Sequence, residues 1–182
     1  MHLYVFILSA FYGVMVPKDS IVAPVEKPFG SVLRTVREYN MAGDSLHPYI
    51  LQVETSKAKR FDKIVVTFGI YTKEGKRVFS DSWKAASYFE KRDTLSDTIK
   101  WLRLQRLMRG FFVNQNFITS GEQPLDEIIN GGAVGEIKPG SKEAKEFDAG
   151  PHIVYSVYGG RDKLYAITWL QSKKKFVIVW RS

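Results

Sequence analysis

Residues 152–180 read HIVYSVYGGRDKLYAITWLQSKKKFVIVW, and this stretch decides the fold class. It contains runs rich in β-branched and aromatic residues at 152–158, 163–171 and 175–180, separated by two short polar linkers. Such runs, divided by tight turns, are typical of antiparallel strands. The sequence therefore predicts a three-stranded meander at its C-terminal end.

Strand signals also occur in the first half of the chain. Runs at 49–54, 64–71 and 77–83 are rich in apolar and β-branched residues, and a glycine-containing turn at 73–76 joins the last two. These features predict a hairpin preceded by a shorter strand. Gly69 lies inside the second run and indicates a bulge or a close contact with a neighbouring group.

Two stretches are predicted to be helices. In 29–39, apolar residues recur at three- and four-residue spacing, which is the spacing of one helix face. In 96–111, Ser96 is a natural N-cap and Asp97 favours the positive end of the helix. This second stretch has too many apolar residues for one narrow stripe, so we expect the sheet and neighbouring elements to cover most of it.

Together these elements predict an α+β domain over residues 21–182. We expect a curved antiparallel sheet of about six strands packed against one or two helices. This layout is similar to cystatin-like and NTF2-like domains, an analogy that concerns architecture only. A helix followed by three strands occurs in both halves, which is compatible with a distant duplication or with chance.

A stretch rich in glycine and proline, 113–151, interrupts the regular elements. Short helices are expected within it at 125–129 and 142–147. Irregular segments of this length are uncommon in compact domains and are often functional. We therefore interpret it as an insertion that could help to form a groove.

The composition is that of a folded basic protein. The chain of 182 residues is 45% hydrophobic and 14% aromatic, which is ample for a core. Its net charge of +8 divides evenly between the two halves, so there is no basic tail. The charge indicates either an anionic partner or a solvated basic surface. There is no cysteine, which excludes disulfides, thiolate catalysis and cysteine-based metal sites.

The N-terminal segment is strongly apolar. Residues 3–16 form an unbroken apolar run of fourteen before Pro17. A membrane-spanning helix needs about 20 residues, whereas the apolar part of a signal peptide needs roughly 7–15. Residues 1–20 are therefore predicted to be a signal peptide or a membrane anchor, and the protein to be exported, periplasmic or in the cell envelope. The basic start and the small-residue cleavage site are missing, so a core strand or buried helix is the alternative.

No motif for catalysis or metal binding stands out. The three histidines, His2, His47 and His152, are far apart in the sequence, and neither a zinc-protease motif nor a calcium loop is present. No metal, cofactor or catalytic residue is therefore predicted. A hydrolase with a dispersed site could still use a Ser–Lys pair or two carboxylates brought together by folding. The acidic candidates, none singled out by spacing, are Asp81, Glu90, Asp93, Asp126 and Glu127.

Four basic residues on the second helix are the candidate binding site. Lys100, Arg103, Arg106 and Arg109 lie three residues apart. At about 100° per residue, a step of three residues falls roughly 60° short of a full turn. The four side chains therefore wrap around the helix. Neighbouring pairs can still share a face and bind an acidic group or phosphate. Alternatively, they extend from the edge of a buried helix into solvent.

The sequence thus favours a non-enzymatic binding or accessory domain of the bacterial cell envelope. Its expected partner is an unknown protein or an anionic ligand, with membrane contact only through the N-terminal segment. The first alternative is a cytoplasmic nucleic-acid-binding protein that uses the basic helix at 96–111. The second alternative is the hydrolase with a dispersed active site.

Overall fold

The structure is a computed structural model that describes residues 27–41, 48–119, 133–149, 152–161 and 163–181. Within these ranges the chain forms an α+β fold with two antiparallel sheets and two α-helices. The signal peptide or anchor predicted at 1–20 and the helix predicted at 125–129 lie outside the described residues. No helix in the described ranges has both the length and the apolar character that a membrane crossing requires.

The first sheet has four strands that pair in sequence order: β1 (Arg34–Tyr39), β2 (Tyr49–Thr55), β3 (Val65–Tyr71) and β4 (Arg77–Lys84). The strands predicted in the first half are therefore confirmed as β2, β3 and β4. Gly69 makes the close contact that the sequence indicated, because a Cβ added there would lie 2.8 Å from the Tyr71 ring. The β3–β4 ladder shifts register beside it, between Ile70 and Tyr71.

The prediction of a helix at 29–39 is wrong, because residues 34–39 form β1. Two of the apolar residues that matched the helical spacing face solvent: Val32 is 41% exposed and Val36 is 51% exposed. β-branched side chains favour strands, and pairing with β2 supplies the backbone hydrogen bonds. The repeat of a helix followed by three strands, which suggested a duplication, is therefore absent from the first half.

The second sheet contains the predicted C-terminal meander. Its strands are β5 (Phe117–Thr119), β6 (Ala133–Val134), β7 (Ile153–Tyr158), β8 (Leu164–Leu170) and β9 (Lys175–Arg181). They are arranged in the order β5-β7-β8-β9-β6, and all pair antiparallel. The meander of β7, β8 and β9 confirms the clearest prediction from the sequence.

The expectation of one curved sheet with about six strands is wrong. Among the described residues, no strand of one half pairs with a strand of the other; the two sheets instead pack through their buried faces. Phe68 of β3 and Tyr155 of β7 show this packing, with ring centroids 5.7 Å apart. The apolar face of each sheet needs a cover, and the other sheet supplies it. Two packed sheets also depart from the expected cystatin-like or NTF2-like layout.

The helix α1 (Asp97–Arg109) confirms the second predicted helix, and Ser96 caps it by accepting a hydrogen bond from the Ile99 amide. The expectation that neighbours cover most of it is wrong. One face is buried, with Trp101 only 1% exposed, whereas Ile99 and Leu107 are 43% and 38% exposed. The opposite side of α1 is therefore a surface.

The helix α2 (Lys142–Ala149) confirms the prediction at 142–147. Ala144 and Phe147 join a second apolar cluster with residues of β7, β8 and β9. The larger cluster contains residues of both sheets and of α1. α2 thus covers the outer face of the second sheet, whereas α1 lies over the main core.

Candidate functional site

The four basic residues of α1 point to three different sides. Arg103 and Arg106 are exposed and line one cleft together with Leu107. Lys100 turns towards the preceding loop, where its Nζ donates a hydrogen bond to the Asp93 carbonyl oxygen at 3.1 Å. Arg109 lies on the opposite flank of the helix. The structure therefore brings together only the middle pair.

A cleft of about 520 Å³ lies between α1, the loop that follows β4 and the turn between β7 and β8. We call it the arginine cleft. Its lining consists of three arginines (Arg103, Arg106 and Arg161), two carboxylates (Glu90 and Asp93) and three apolar or aromatic residues (Tyr88, Phe89 and Leu107). The cleft thus combines three cations with a wall of two aromatic rings.

Arg161 reaches the cleft because the β7–β8 turn is attached to the loop after β4. The Ser87 hydroxyl donates to the Gly159 carbonyl oxygen at 2.5 Å, and the Arg161 amide donates to the Ser87 carbonyl oxygen at 3.1 Å. Gly160 has a positive φ of 95°, and a Cβ there would lie 2.4 Å from the Ser87 hydroxyl oxygen. The sequence analysis did not identify Arg161, because the Gly-Gly pair predicts a turn but does not predict where the side chain of the next residue lies.

The three arginines differ in their partners. Arg161 forms an ion pair with Glu90 at 3.0 Å. Within the described part of the chain, Arg103 and Arg106 have no ion pair or side-chain hydrogen bond. Like charges three residues apart on a helix repel each other by a few tenths of a kcal/mol. A bound anion would offset this repulsion.

The aromatic wall of the cleft is held in place by packing. The ring of Phe89 lies edge-on to that of Phe61, with centroids 5.2 Å apart. The Tyr88 hydroxyl donates to the Tyr158 carbonyl oxygen at 3.0 Å. Burial raises the pKa of Tyr88, so its phenol is neutral at physiological pH. The wall is thus rigid and uncharged, and the arginines supply the positive charge.

The two carboxylates of the cleft already have partners. Glu90 is held by Arg161, and Asp93 accepts a hydrogen bond from the Leu95 amide at 2.8 Å. These contacts fix both carboxylates at the edge of the cleft, beside the arginines. Two other acidic candidates, Asp126 and Glu127, lie outside the described residues.

Asp81, the remaining acidic candidate, connects the two sheets. It accepts a hydrogen bond at 2.5 Å from the Nζ of Lys163, which precedes β8. Burial, together with the nearby charge of Asp81, raises the pKa of the Tyr165 phenol, which stays protonated at neutral pH. None of these three residues lines the arginine cleft. Their arrangement links β4 to β8 rather than presenting a nucleophile to solvent.

The described residues contain no group of three or more His, Asp or Glu side chains that could hold a metal ion. His2 and His47 lie outside the described residues. The ring of His152 stacks on Phe147 with centroids 5.4 Å apart, and its Nε2 is 3.1 Å from the Glu146 carbonyl oxygen. His152 thus packs against α2.

Two further clefts flank α1 and its neighbours. A wider one of about 760 Å³ lies between residues 28–31 and 57–59, and its charged lining residues are Lys57 and Lys59. A narrow one of about 100 Å³ is lined by Lys27, Arg34 and Arg109 among others. Basic side chains are therefore present on both flanks of α1, although the arginine cleft has the most complete arrangement.

Comparisons of this chain with protein-family models, with curated proteins and with solved structures find no match. Function is therefore inferred from the chemistry of the arginine cleft, where two exposed arginines, unpaired among the described residues, lie beside an aromatic wall.

Proposed function

We propose that this protein is a non-enzymatic binding domain that holds an acidic group, a carboxylate or a phosphate ester, in the arginine cleft. The observation that carries this proposal is the pair Arg103 and Arg106 on α1, which lie side by side in the cleft. In the described part of the chain no carboxylate neutralises either of them.

Arginine suits such a site for a physical reason. Its planar guanidinium group offers several N–H donors in a fixed fork, which matches the oxygen atoms of a carboxylate or phosphate. A hydrogen bond to a charged group contributes about 1.5–3 kcal/mol. Since Arg103 and Arg106 are exposed, salt will screen part of this energy. We expect modest affinity that decreases with ionic strength.

The charge of the cleft suits a ligand with one negative charge. Three arginines oppose Glu90 and Asp93, which leaves a net charge of +1 when all five groups are ionised. A ligand with several clustered negative charges would meet repulsion from the two carboxylates. Leu107 and the ring-lined wall offer apolar contacts to the remainder of the ligand. The arrangement supports an acidic group carried on a partly apolar body.

The test is a titration of the full chain with diethyl phosphate, which carries one negative charge and two apolar ethyl groups, followed by the NMR signals of the arginine side chains. Replacing Arg103→Gln and Arg106→Gln together should weaken binding by about tenfold or more, since each lost charged hydrogen bond costs more than 1 kcal/mol. The matched control is Lys142→Gln with Lys145→Gln, which removes two cations at the same spacing from α2 and should leave binding unchanged. Equal losses in both double variants would contradict the proposal.

We also propose that the domain acts in the cell envelope. The apolar run at 3–16 supports this, because its length suits an export signal. Fusing the chain to a reporter enzyme that is active only after export should give activity that disappears when residues 1–20 are deleted. A silent reporter on the full chain would argue for the cytoplasmic alternative.

A further inference from the structure

The exposed face of α1 combines positive charge with apolar side chains. Arg103 and Arg106 lie on it together with Ile99 and Leu107, which are 43% and 38% exposed. Each of these two apolar side chains thus leaves more than a third of its surface in water. A helix face that carries both basic and apolar residues is typical of binding at the interface of an anionic membrane.

Basic residues continue on both flanks of this face. Lys27, Arg34 and Arg109 line the narrow cleft on one side, and Lys100 and Arg161 lie on the other. With Arg103 and Arg106, the face and its flanks carry seven cations, of which two are paired: Arg34 with Glu54 at 2.8 Å and Arg161 with Glu90 at 3.0 Å. In the described part of the chain the other five have no carboxylate partner: Lys27, Lys100, Arg103, Arg106 and Arg109.

We infer that the exposed face of α1 and its basic flanks bind the surface of an anionic phospholipid membrane, with a lipid headgroup phosphate in the arginine cleft. This inference rests on the proposed function, since it names the source of the acidic group. A phospholipid phosphodiester has one negative charge, which matches the net charge of the cleft. Ile99 and Leu107 would enter the boundary between headgroups and acyl chains.

Charge complementarity gives this surface its strength. Each Lys or Arg near an anionic leaflet adds to the attraction, which fades within a Debye length of roughly 10 Å. A nucleic acid would gain the same attraction, but it would leave Ile99 and Leu107 without an apolar partner. It would also find the rings of Tyr88 and Phe89 packed against other aromatic side chains, and hence not free for stacking on bases. The surface therefore favours lipid.

The position of Lys27 is consistent with a membrane on the side of α1. Lys27, where the described residues begin, lies on the flank of α1: its carbonyl oxygen accepts from the Trp101 indole at 3.0 Å, and its amide donates to the Gln105 side chain at 3.2 Å. Ten residues, 17–26, separate Lys27 from the apolar run at 3–16, and such a stretch reaches at most about 35 Å. Membrane contact by the apolar run would thus keep α1 close to the bilayer.

The experiment measures binding of the full chain to vesicles of phosphatidylglycerol mixed with phosphatidylcholine, and to vesicles of phosphatidylcholine alone. The ratio of the two partition coefficients is the readout, because the apolar N-terminal run contributes to both. We expect a preference for anionic vesicles that decreases with salt. Arg103→Glu with Arg106→Glu should lower the ratio by about tenfold or more. The control, Lys142→Glu with Lys145→Glu on α2, makes the same change in net charge and should leave the ratio within about twofold.

A second variant separates apolar insertion from charge. Replacing Ile99→Ser and Leu107→Ser should weaken binding to anionic vesicles by several fold and leave the salt dependence of binding unchanged, since no charge is altered. Thermal unfolding of each variant checks that the fold is intact. If the four substitutions on α1 have no more effect than the control on α2, the membrane assignment is overturned.

The outcomes also separate this inference from the proposed function. If diethyl phosphate titrates into the cleft but anionic vesicles are not preferred, the membrane assignment fails and the binding function stands. If neither probe binds, both fail. If a short DNA duplex binds more tightly than anionic vesicles, and Arg103→Glu with Arg106→Glu abolishes that binding, nucleic acid replaces lipid as the partner.

Discussion

The two helices of this protein begin in the same way and differ in what they offer to solvent. Ser96 caps α1 by accepting from the Ile99 amide at 3.4 Å, and Ser141 caps α2 by accepting from the Ala144 amide at 3.1 Å. Each helix also buries one face, with Trp101 on α1 and Phe147 on α2, each 1% exposed. Local helix chemistry therefore does not distinguish them.

Their exposed charges do distinguish them. α1 has four cations and one carboxylate, whereas α2 has two lysines and three carboxylates. Two of the α2 carboxylates are engaged: Glu143 pairs with Lys173 at 3.2 Å, and Glu146 accepts from the Ser172 amide at 3.2 Å. The cations of α1 have no carboxylate partner in the described part of the chain. The four cations and one carboxylate of α1 give it a net charge of +3, whereas the two lysines and three carboxylates of α2 give it −1, so the sign of the charge indicates which helix attracts an anion.

The largest expected effect is a loss of folding stability, and it tests whether the buried faces of α1 and α2 contribute equally. Trp101→Ala and Phe147→Ala should each lower the free energy of unfolding by about 3–5 kcal/mol, because each leaves a cavity in a packed cluster. Urea denaturation followed by circular dichroism measures both. A loss below about 1 kcal/mol for either variant would show that its helix is held on the fold by other contacts.

A smaller effect tests whether the exposed faces differ. Glu90→Gln removes a negative charge from the arginine cleft and releases Arg161, so it should strengthen binding of diethyl phosphate by about threefold to tenfold. The matched variant on α2, Glu143→Gln, releases Lys173 and should leave this binding unchanged. Isothermal titration calorimetry at low salt measures both. Weaker binding by the Glu90 variant would show that the Glu90–Arg161 pair positions Arg161 for the ligand.

The smallest effect concerns the pH dependence of α2. Hydrogen bonds from the side chain and backbone of Ser172 hold the pKa of Glu146 below its ordinary value of 4.5. A lowered pKa in the folded state adds stability above about pH 4.5, and this stability is lost as the pH falls through the folded-state value. Glu146→Gln should therefore lower stability by at most about 1 kcal/mol at pH 7. The difference from the parent chain should shrink as the pH falls below 4.5, as urea denaturation at a series of pH values would show. A difference that does not change with pH would rule out the charge as its cause.

The contrast between β1 and α1 explains where sequence reasoning succeeded and where it did not. For α1, the cap residue and the dense apolar pattern are local signals, and both were sufficient. For β1, the inward positions include the polar Thr35 and the charged Arg37, so the two-residue alternation of a strand was hidden. Arg37 faces inward because its guanidinium donates to the Phe112 carbonyl oxygen and to the Asn114 side chain, the latter at 2.7 Å. These partners are remote in sequence, so no local pattern revealed them.

The candidate site was likewise predictable only in part. The spacing of the four cations on α1 indicated that neighbouring pairs share a face, but it did not show which pair. Packing of α1 through Trp101 and Met108 decides this, because it turns Arg103 and Arg106 outward. The contribution of Arg161 depends on Ser87, which holds the β7–β8 turn beside the helix. The sequence showed which residues can bind anions, but it did not show which of them come together in one cleft.

What the sequence by itself determined are the elements whose signals are local: the C-terminal meander, the hairpin of β3 and β4, and the two capped helices. Turn residues, caps and periodic apolar residues act over a few positions, so they are readable from a single chain. Only the tertiary structure decided that the strands form two packed sheets and that Arg103, Arg106 and Arg161 line one cleft. Both depend on contacts between residues that are far apart in the chain, and a local pattern contains no information about which distant partner a buried face will meet.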